Sequence, residues 1–115
     1  MARTIYHTAD GGDWYVALRR GAYEGSAHDK RDGFIHFSTA AQVAASAAKH
    51  RAGQDGLKLL YVDAAALAPM LRWEPARGGD LFPHLHGVLP VNLVRRVEDL
   101  RLGADGAHIF PPLDP

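Results

Sequence analysis

The segment GFIHFST, residues 33–39, is the stretch in which a strand pattern, polar side chains and the start of a helix coincide. If its residues alternate as in a strand, Phe34, His36 and Ser38 share one face, and the apolar residues between them share the other. Thr39 and Gln42 have the spacing of a capping box, which predicts that a helix begins directly after Thr39. A histidine and a serine beside a helix start favour binding of a polar or anionic ligand. The alternative is a buried histidine satisfied by a backbone carbonyl.

The same order of strand, histidine and helix occurs earlier in the chain. Residues 4–7 are predicted to form a strand that ends in a histidine. Thr8 or Asp10 can cap the helix that follows, and Gly21 suits the left-handed residue that ends it. Residues 22–32 are polar and rich in turn residues, so they are predicted to form a loop that lies over a pocket.

The rest of the chain favours strands over helices. A helix is predicted over residues 40–50, where alanine predominates, and the nearly continuous apolar run 57–62 indicates a central strand. The late strands lack intervening helices, which favours an α+β domain with a mostly antiparallel sheet over a doubly wound parallel one. These late strands are predicted at residues 71–74, 82–87 and 91–100.

In two of the late strands, alternation predicts which face of the strand each polar side chain occupies. Alternation places Leu71 and Trp73 inward and puts Arg72 and Glu74 together on the opposite face. In residues 82–87 the two histidines share one face, and the proline and glycine that bracket them predict an edge strand or a sharp bend.

Composition restricts the class of protein. The chain has 115 residues, with 13 basic and 13 acidic side chains and a formal net charge of zero. One domain is expected at this length, and the balanced charge argues against general nucleic-acid binding.

The absence of cysteine excludes disulfides and thiolate nucleophiles. No apolar run approaches a membrane span and no signal-peptide pattern is present, so we expect a cytoplasmic protein without membrane association. The oligomeric state is left open.

The histidines are compatible with several chemistries. A serine-nucleophile triad of Ser38, a histidine and Glu74 is disfavoured, because Ser38 and His36 lie about 7 Å apart along one strand. A metal site is a second hypothesis. It combines two histidines of residues 82–87 with a carboxylate and one further histidine, that is, His84, His86, Glu74 and either His7 or His36.

Nucleotide binding is the third hypothesis. A neutral histidine can donate a hydrogen bond to a ribose hydroxyl, and Arg72 can hold a phosphate. An aromatic wall for such a ligand has four candidate residues, each of which is also a core candidate: Tyr6, Phe34, Trp73 and Phe82.

Several motifs occur in the order and at the spacing of a known family. They are Ile5-Tyr6-His7 followed by Trp14, GFIHFS at 33–38, Trp73-Glu74 and FPHLHG at 82–87. Over nearly the whole chain they resemble the bacterial and plant family called domain of unknown function 952. Members of that family resemble the ADP-ribosyltransferase fold, a split β-sheet with helices at its edges. In the true enzymes of that fold, the cleft holds NAD.

The resemblance also implies roles for individual residues. His7 corresponds to the first-strand residue that contacts the nicotinamide-side ribose, and His36 with Ser38 corresponds to the second motif, which lines the pocket. The F-P-H-L segment matches the third motif of the family itself. Glu74 is the nearby acid on a strand, although the transferases keep their catalytic Glu at a strand end. His86 stands where the family usually has Tyr.

We therefore predict one ADP-ribosyltransferase-like α+β domain over residues 1–102 and an extended Pro-rich tail over residues 103–115. Its histidine-lined cleft is predicted to bind NAD, as a substrate, or another nucleotide, and to act in ADP-ribosyl or glycosidic-bond transfer. The catalytic candidates are His36, Glu74 and His84. The ligand-binding candidates are His7, Ser38, Arg72 and His86, and no residue is assigned to a metal. The open alternatives are a non-catalytic metabolite-binding protein with the same cleft and a His-carboxylate metal-binding protein.

Overall fold

The computed structural model describes residues 3–114. Met1, Ala2 and Pro115, which belong to the predicted domain and tail, lie outside the described residues. Within the described part of the chain, no helix is both long enough and apolar enough to cross a membrane. The helices are α1 (Gly11–Arg20), α2 (Ala27–Asp32) and α3 (Val43–His50). The strands are β1 (Thr4–Asp10), β2 (Ala22–Tyr23), β3 (Ile35–His36), β4 (Leu57–Asp63), β5 (Leu71–Pro75), β6 (Leu81–Leu85), β7 (Leu89–Pro90), β8 (Val94–Leu102) and β9 (His108–Ile109).

The described strands form three antiparallel sheets. The largest has the order β1-β4-β8-β9, which confirms that residues 57–62 belong to a central strand. A second sheet has the order β3-β6-β5, and β2 pairs with β7. The protein is therefore a small single-domain α+β protein with mostly antiparallel sheets, as the sequence predicts, and it has three α-helices.

Of the two alternatives predicted for residues 82–87, the edge position is wrong, because β6 is the middle strand of its sheet, and the bend is present at His86 and Gly87. Pro83 is tolerated there because it lies where the regular pairing with β3 has ended at His36. Its carbonyl still accepts the backbone N–H of Phe37 at 2.9 Å. A proline lacks only the N–H, so the acceptor side of its peptide group remains available to a neighbouring strand.

The inward orientation predicted for two side chains of β5 is correct for Leu71 and wrong for Trp73. Leu71 packs against the core, but Trp73 is 37% exposed. Trp73 follows on the same face and lies beyond the core, where the guanidinium carbon of Arg3 sits 4.9 Å from the centre of its ring. A cation over an indole face stabilises such a half-exposed position.

Helix α1 begins and ends where the sequence predicts. The Asp10 side chain accepts the N–H groups of Gly12 at 2.9 Å and Asp13 at 3.2 Å, which satisfies two of the open donors of the first turn. Gly21 adopts a φ of 85° and donates its N–H back to the last turn of the helix.

Helix α3 begins at Val43, three residues later than predicted. Gln42 Oε1 accepts the Thr39 N–H at 3.0 Å, so one half of the predicted capping box is present. Residues 40–42 form a turn that leads into the helix.

The loop predicted for residues 22–32 is wrong, because this stretch contains β2 and α2. Ser26 caps α2 in a complete capping box. Its Oγ accepts the N–H of Asp29 at 3.2 Å, and Asp29 Oδ2 accepts the N–H of Ser26 at 2.7 Å. The Ser-x-x-Asp spacing carried this signal, but the polar composition of the stretch obscured it.

The segment 35–38 joins two sheets. Ile35 and His36 pair with β6, and two residues later Ser38 pairs with Tyr6 of β1. The backbone bonds between Ser38 and Tyr6 run in both directions at 2.8 Å. The strand predicted within residues 33–39 therefore pairs with two different strands, first with β6 and then with β1.

The C-terminal segment lies against the four-stranded sheet. Phe110 and Leu113 pack on a buried cluster that contains Tyr6 and Tyr61. The Tyr6 hydroxyl donates to the carbonyl of Asp114 at 2.8 Å. Residues beyond β9 therefore cover part of the core.

Candidate functional site

Pairing between β3 and β6 brings histidines from two distant segments side by side. His36 lies directly opposite His84, and their ring centres are 5.6 Å apart. Phe34 stacks on His84 at 4.1 Å and lies 5.3 Å from the ring of His86. We call Phe34, His36, His84 and His86 the ring cluster.

A buried carboxylate supports the ring cluster from α2. Asp29 is only 2% exposed, and its two oxygens accept four hydrogen bonds. Oδ2 accepts the backbone N–H and the hydroxyl of Ser26 at 2.7 and 3.0 Å. Oδ1 accepts the backbone N–H of His36 at 3.0 Å and its Nδ1 proton at 2.5 Å. A buried carboxylate satisfied in this way holds its partner in one orientation.

Asp29 therefore fixes the orientation of the His36 ring. Because Nδ1 donates to Asp29, Nε2 is directed outward, where it lies 3.0 Å from Oδ2 of Asp32. Burial opposes protonation of His36, but the hydrogen bond to Asp29 and the charges of both carboxylates outweigh it and raise its pKa. The pKa of Asp29 is lowered, since its hydrogen bonds from His36 and Ser26 outweigh the effect of burial.

His7 lies behind His36 in the core. Its Nδ1 donates to the His36 carbonyl at 2.6 Å, and its Nε2 accepts the hydroxyl proton of Tyr23 at 2.8 Å. Burial lowers the pKa of His7, so the ring is neutral at pH 7. Its approach to Asp29 at 3.6 Å is therefore not an ion pair.

Glu74 joins the two histidines of the F-P-H-L segment. Its Oε1 accepts hydrogen bonds from His86 Nε2 at 2.7 Å and His84 Nδ1 at 2.9 Å. These two bonds lower the pKa of Glu74, which is ionised at neutral pH. Burial lowers the pKa of His84, so this ring is neutral there. The Glu74 side chain is 36% exposed, and within residues 3–114 no hydrogen bond reaches its Oε2.

A second polar group borders the ring cluster. His28 and Asp32 lie one turn apart on α2, with His28 Nε2 at 3.4 Å from Asp32 Oδ2. The candidate ligand atoms of His28, Asp32 and His36 all lie within 4.8 Å of one another. Among the described residues, this is the one group of His, Asp or Glu side chains close enough to share a metal ion.

A family model for "Protein of unknown function (DUF952)" matches residues 8–97, a range that contains the ring cluster, Asp29 and Glu74. The chain belongs to the DUF952 family. The prediction of that family from its motifs is confirmed. No protein with a curated description matches this DUF952 chain.

Solved structures of protein CC0527 from Caulobacter crescentus are similar to this DUF952 protein. Its X-ray structure is 45% identical, covers 92% of this chain and 93% of that chain, and has a TM-score of 0.89. Its solution NMR structure is 46% identical, covers 90% of each chain and has a TM-score of 0.82. These similarities establish the α+β fold and leave the activity of the family open.

Four of the predicted site residues of this DUF952 protein lie together. His36, His84 and His86 belong to the ring cluster, and Glu74 hydrogen-bonds to two of them. Arg72 lies directly opposite His84 in the pairing of β5 with β6, with an exposed side chain. The predicted roles of these residues in catalysis and ligand binding stay predictions.

Ser38 and His7 lie apart from the exposed side of the cluster. Ser38 is buried, and its hydroxyl donates to Ser46 of α3 at 3.1 Å. His7 is 4% exposed and uses both ring nitrogens within the core. The predicted contacts of Ser38 and His7 with a ligand stay predictions. Burial is more typical of residues that support the fold than of residues that contact a ligand.

The sequence reasoning missed Asp29 and the residues around it. Asp29 and Asp32 fall in the stretch predicted to be a loop, and so does His28. The capping-box spacing from Ser26 was the available signal, because it places His28 and Asp32 on one helix face. Tyr23, the partner of His7, had no comparable signal.

The two described cavities lie away from the ring cluster. One, of about 100 Å³, lies beside α1 and is lined in part by Asp13, Arg20 and Lys30. The other, of about 260 Å³, lies at the adjoining ends of β4 and β8. His36, His86 and Glu74 form a half-exposed surface, at which the predicted histidine-lined cleft stays a prediction.

Proposed function

We propose that the ring cluster and Glu74 bind NAD or a related nucleotide and act on its glycosidic bond, as in an ADP-ribosyltransferase-like protein. The observation that carries this proposal is the state of Glu74. It is an ionised carboxylate on a partly exposed side chain, fixed through one oxygen by His84 and His86 and without a hydrogen bond from residues 3–114 at the other. A fixed anion beside a ligand surface stabilises the positive charge that develops at a sugar carbon when a glycosidic bond breaks.

The surroundings of Glu74 suit a nucleotide. Arg72 precedes it by two residues, so both side chains start from the same face of β5, about 7 Å apart. An exposed guanidinium at that distance matches a phosphate attached to the ribose. The half-exposed imidazoles of His36 and His86 offer hydrogen-bonding groups for ribose hydroxyls, and the ring of Phe34 adds an apolar surface.

The proposed reaction breaks the bond between the ribose carbon and nicotinamide. The bonding electron pair leaves with nicotinamide, which becomes neutral, and the ribosyl cation faces Glu74. A water molecule or an acceptor nucleophile then forms the new bond to the same carbon and releases its proton to solvent. Glu74 stabilises the cation and is not consumed.

Calorimetric titration tests binding, and release of nicotinamide tests the reaction. We expect saturable heat with NAD and with ADP-ribose, and weaker binding in His36→Ala. Glu74→Gln should abolish nicotinamide release and leave ADP-ribose binding within a few fold. Glu98→Gln is the matched control, because Glu98 is a half-exposed carboxylate of β8 paired with Arg96.

The outcomes separate the competing functions. Binding without nicotinamide release in the unmodified protein would favour the non-catalytic metabolite-binding protein. Absence of saturable heat with both ligands at millimolar concentration would refute the nucleotide proposal altogether.

A further inference from the structure

We propose that His28, Asp32 and His36 bind one divalent transition-metal ion, and that Asp29 positions His36 for this role. The site goes beyond the proposed nucleotide function, since it takes a different ligand and two of its three residues play no part in that function. It also differs from the metal set considered from the sequence, which was centred on Glu74 and the F-P-H-L histidines.

The spacing of the three side chains suits a metal. Zinc ligands lie about 2.0–2.2 Å from the ion, so two ligands of a tetrahedral site are about 3.4 Å from each other. The Nε2 atoms of His36 and His28 lie 3.0 and 3.4 Å from Asp32 Oδ2. All three ligand atoms fall within 4.8 Å of one another. Small side-chain rotations therefore suffice to form the site.

A second, independent observation is the way in which His36 is held. Metal-binding histidines commonly donate their other ring N–H to a carboxylate, which fixes the ring and its tautomer. Asp29 accepts the Nδ1 proton of His36 at 2.5 Å, and it is itself fixed by two hydrogen bonds from Ser26. When a metal ion binds, His36 releases to solvent the Nε2 proton that it donates to Asp32, and the lone pair left on Nε2 is aimed at the space shared with His28 and Asp32.

The neighbours of His28 determine the rest of the coordination shell. The ring of His50 on α3 lies 5.5 Å from that of His28, so a further imidazole borders the site. Arg31 donates to His28 Nδ1 at 3.0 Å. Coordination through Nε2 places the proton on Nδ1, so Arg31 must release this bond, and its exposed side chain is free to move into solvent.

The donor set defines the class of ion. Two imidazoles and one carboxylate favour Zn²⁺, Co²⁺, Ni²⁺ or Fe²⁺, whereas Mg²⁺ and Ca²⁺ prefer oxygen ligands alone. Asp32 and His28 are half-exposed, so solvent can complete the coordination. Such a site keeps an open position for an exogenous ligand.

Titration of the full-length, chelator-treated protein with Zn²⁺ alone tests this site. We expect binding of one ion per chain, and at least tenfold weaker binding in His28→Ala, whose exposed side chain is not needed for folding. His108→Ala is the matched control, because His108 lies on β9 and bonds to the Gln54 carbonyl. Asp29→Asn should weaken binding about 10- to 100-fold wherever the variant remains folded.

Replacement of Zn²⁺ by Co²⁺ gives a second readout. A site with two nitrogen ligands should produce visible absorption that is present in the unmodified protein and lost in His28→Ala. Equal Zn²⁺ affinity in the unmodified protein and in His28→Ala would overturn the proposal. Glu74→Gln should retain metal binding, so failure of the nucleotide proposal and failure of this one are separately observable.

Discussion

Replacement of Asp29 by asparagine should destabilise this protein more than any other single polar change near the ring cluster. The carboxylate is buried and accepts four hydrogen bonds, two at each oxygen. An asparagine has one carbonyl oxygen and one NH₂ group. In either orientation, the NH₂ group therefore faces one backbone N–H that cannot become an acceptor, that of Ser26 or of His36, and one group that must reverse its hydrogen bond, the Ser26 hydroxyl or His36 Nδ1.

The magnitude follows from the bonds lost. Hydrogen bonds to a charged group contribute about 1.5–3 kcal/mol each, and removing one partner of a buried charged pair costs about 3–5 kcal/mol. We therefore expect a loss of about 3–5 kcal/mol in the free energy of unfolding. With an unfolding entropy of about 2.1 cal/mol/K per residue, this lowers Tm by roughly 12–20 °C.

Chemical and thermal unfolding, followed by circular dichroism at pH 7 in the presence of a chelator, measures this loss. Asp32→Asn is the matched control, because Asp32 lies on the same helix and contacts the same histidine but is 39% exposed. Its loss should stay below about 1 kcal/mol. Equal stability of the two variants would show that the buried carboxylate does not support the site as argued.

Three further predictions concern the same scaffold. The lowered pKa of buried His7 means that the unfolded chain binds the proton more readily, so the contribution of His7 to stability is full above pH 6.5 and is lost as pH falls through the folded-state pKa. NMR titration of its ring should show a midpoint below pH 6.5, and a midpoint at or above pH 6.5 would contradict the prediction. Gly25→Ala should lower Tm more than Gly33→Ala, since both have positive φ but only at Gly25 would the new Cβ lie 2.7 Å from another Cβ, that of the buried carboxylate; equal Tm values would remove the steric argument. Leu60→Ala in the central strand should cost about 2–5 kcal/mol in urea unfolding, against less than about 0.5 kcal/mol for exposed Leu81→Ala, and similar costs would contradict the assigned core.

The sequence predicts those parts of the fold in which local chemistry and tertiary structure agree. Asp10 and Gly21 bound α1 as expected, because capping depends on residues only a few positions apart. The run 57–62 is apolar on both faces, and only a central strand buries both. The family itself was recognisable from motifs that span most of the chain.

Other features depend on contacts between distant segments. The middle position of β6 requires both β3 and β5 as partners, and Pro83 alone predicts the opposite. The facing of Trp73 depends on where the core ends, which strand periodicity does not reveal. The proximity of His36, His84 and Glu74 was predictable only as a hypothesis, and Asp29 was missed because its helix was interpreted as a loop.

The shared use of residues 35–38 has a consequence for how the molecule opens. The backbone amides of Ser38 and Tyr6 form hydrogen bonds that attach this segment to the four-stranded sheet. The Phe37 amide donates to the Pro83 carbonyl, which attaches the same segment to the sheet of β3, β6 and β5. Neither sheet can separate from its neighbour while these amides stay protected. Their deuterium exchange in the native state should therefore require global rather than local unfolding, which makes this two-sheet scaffold one cooperative foldon.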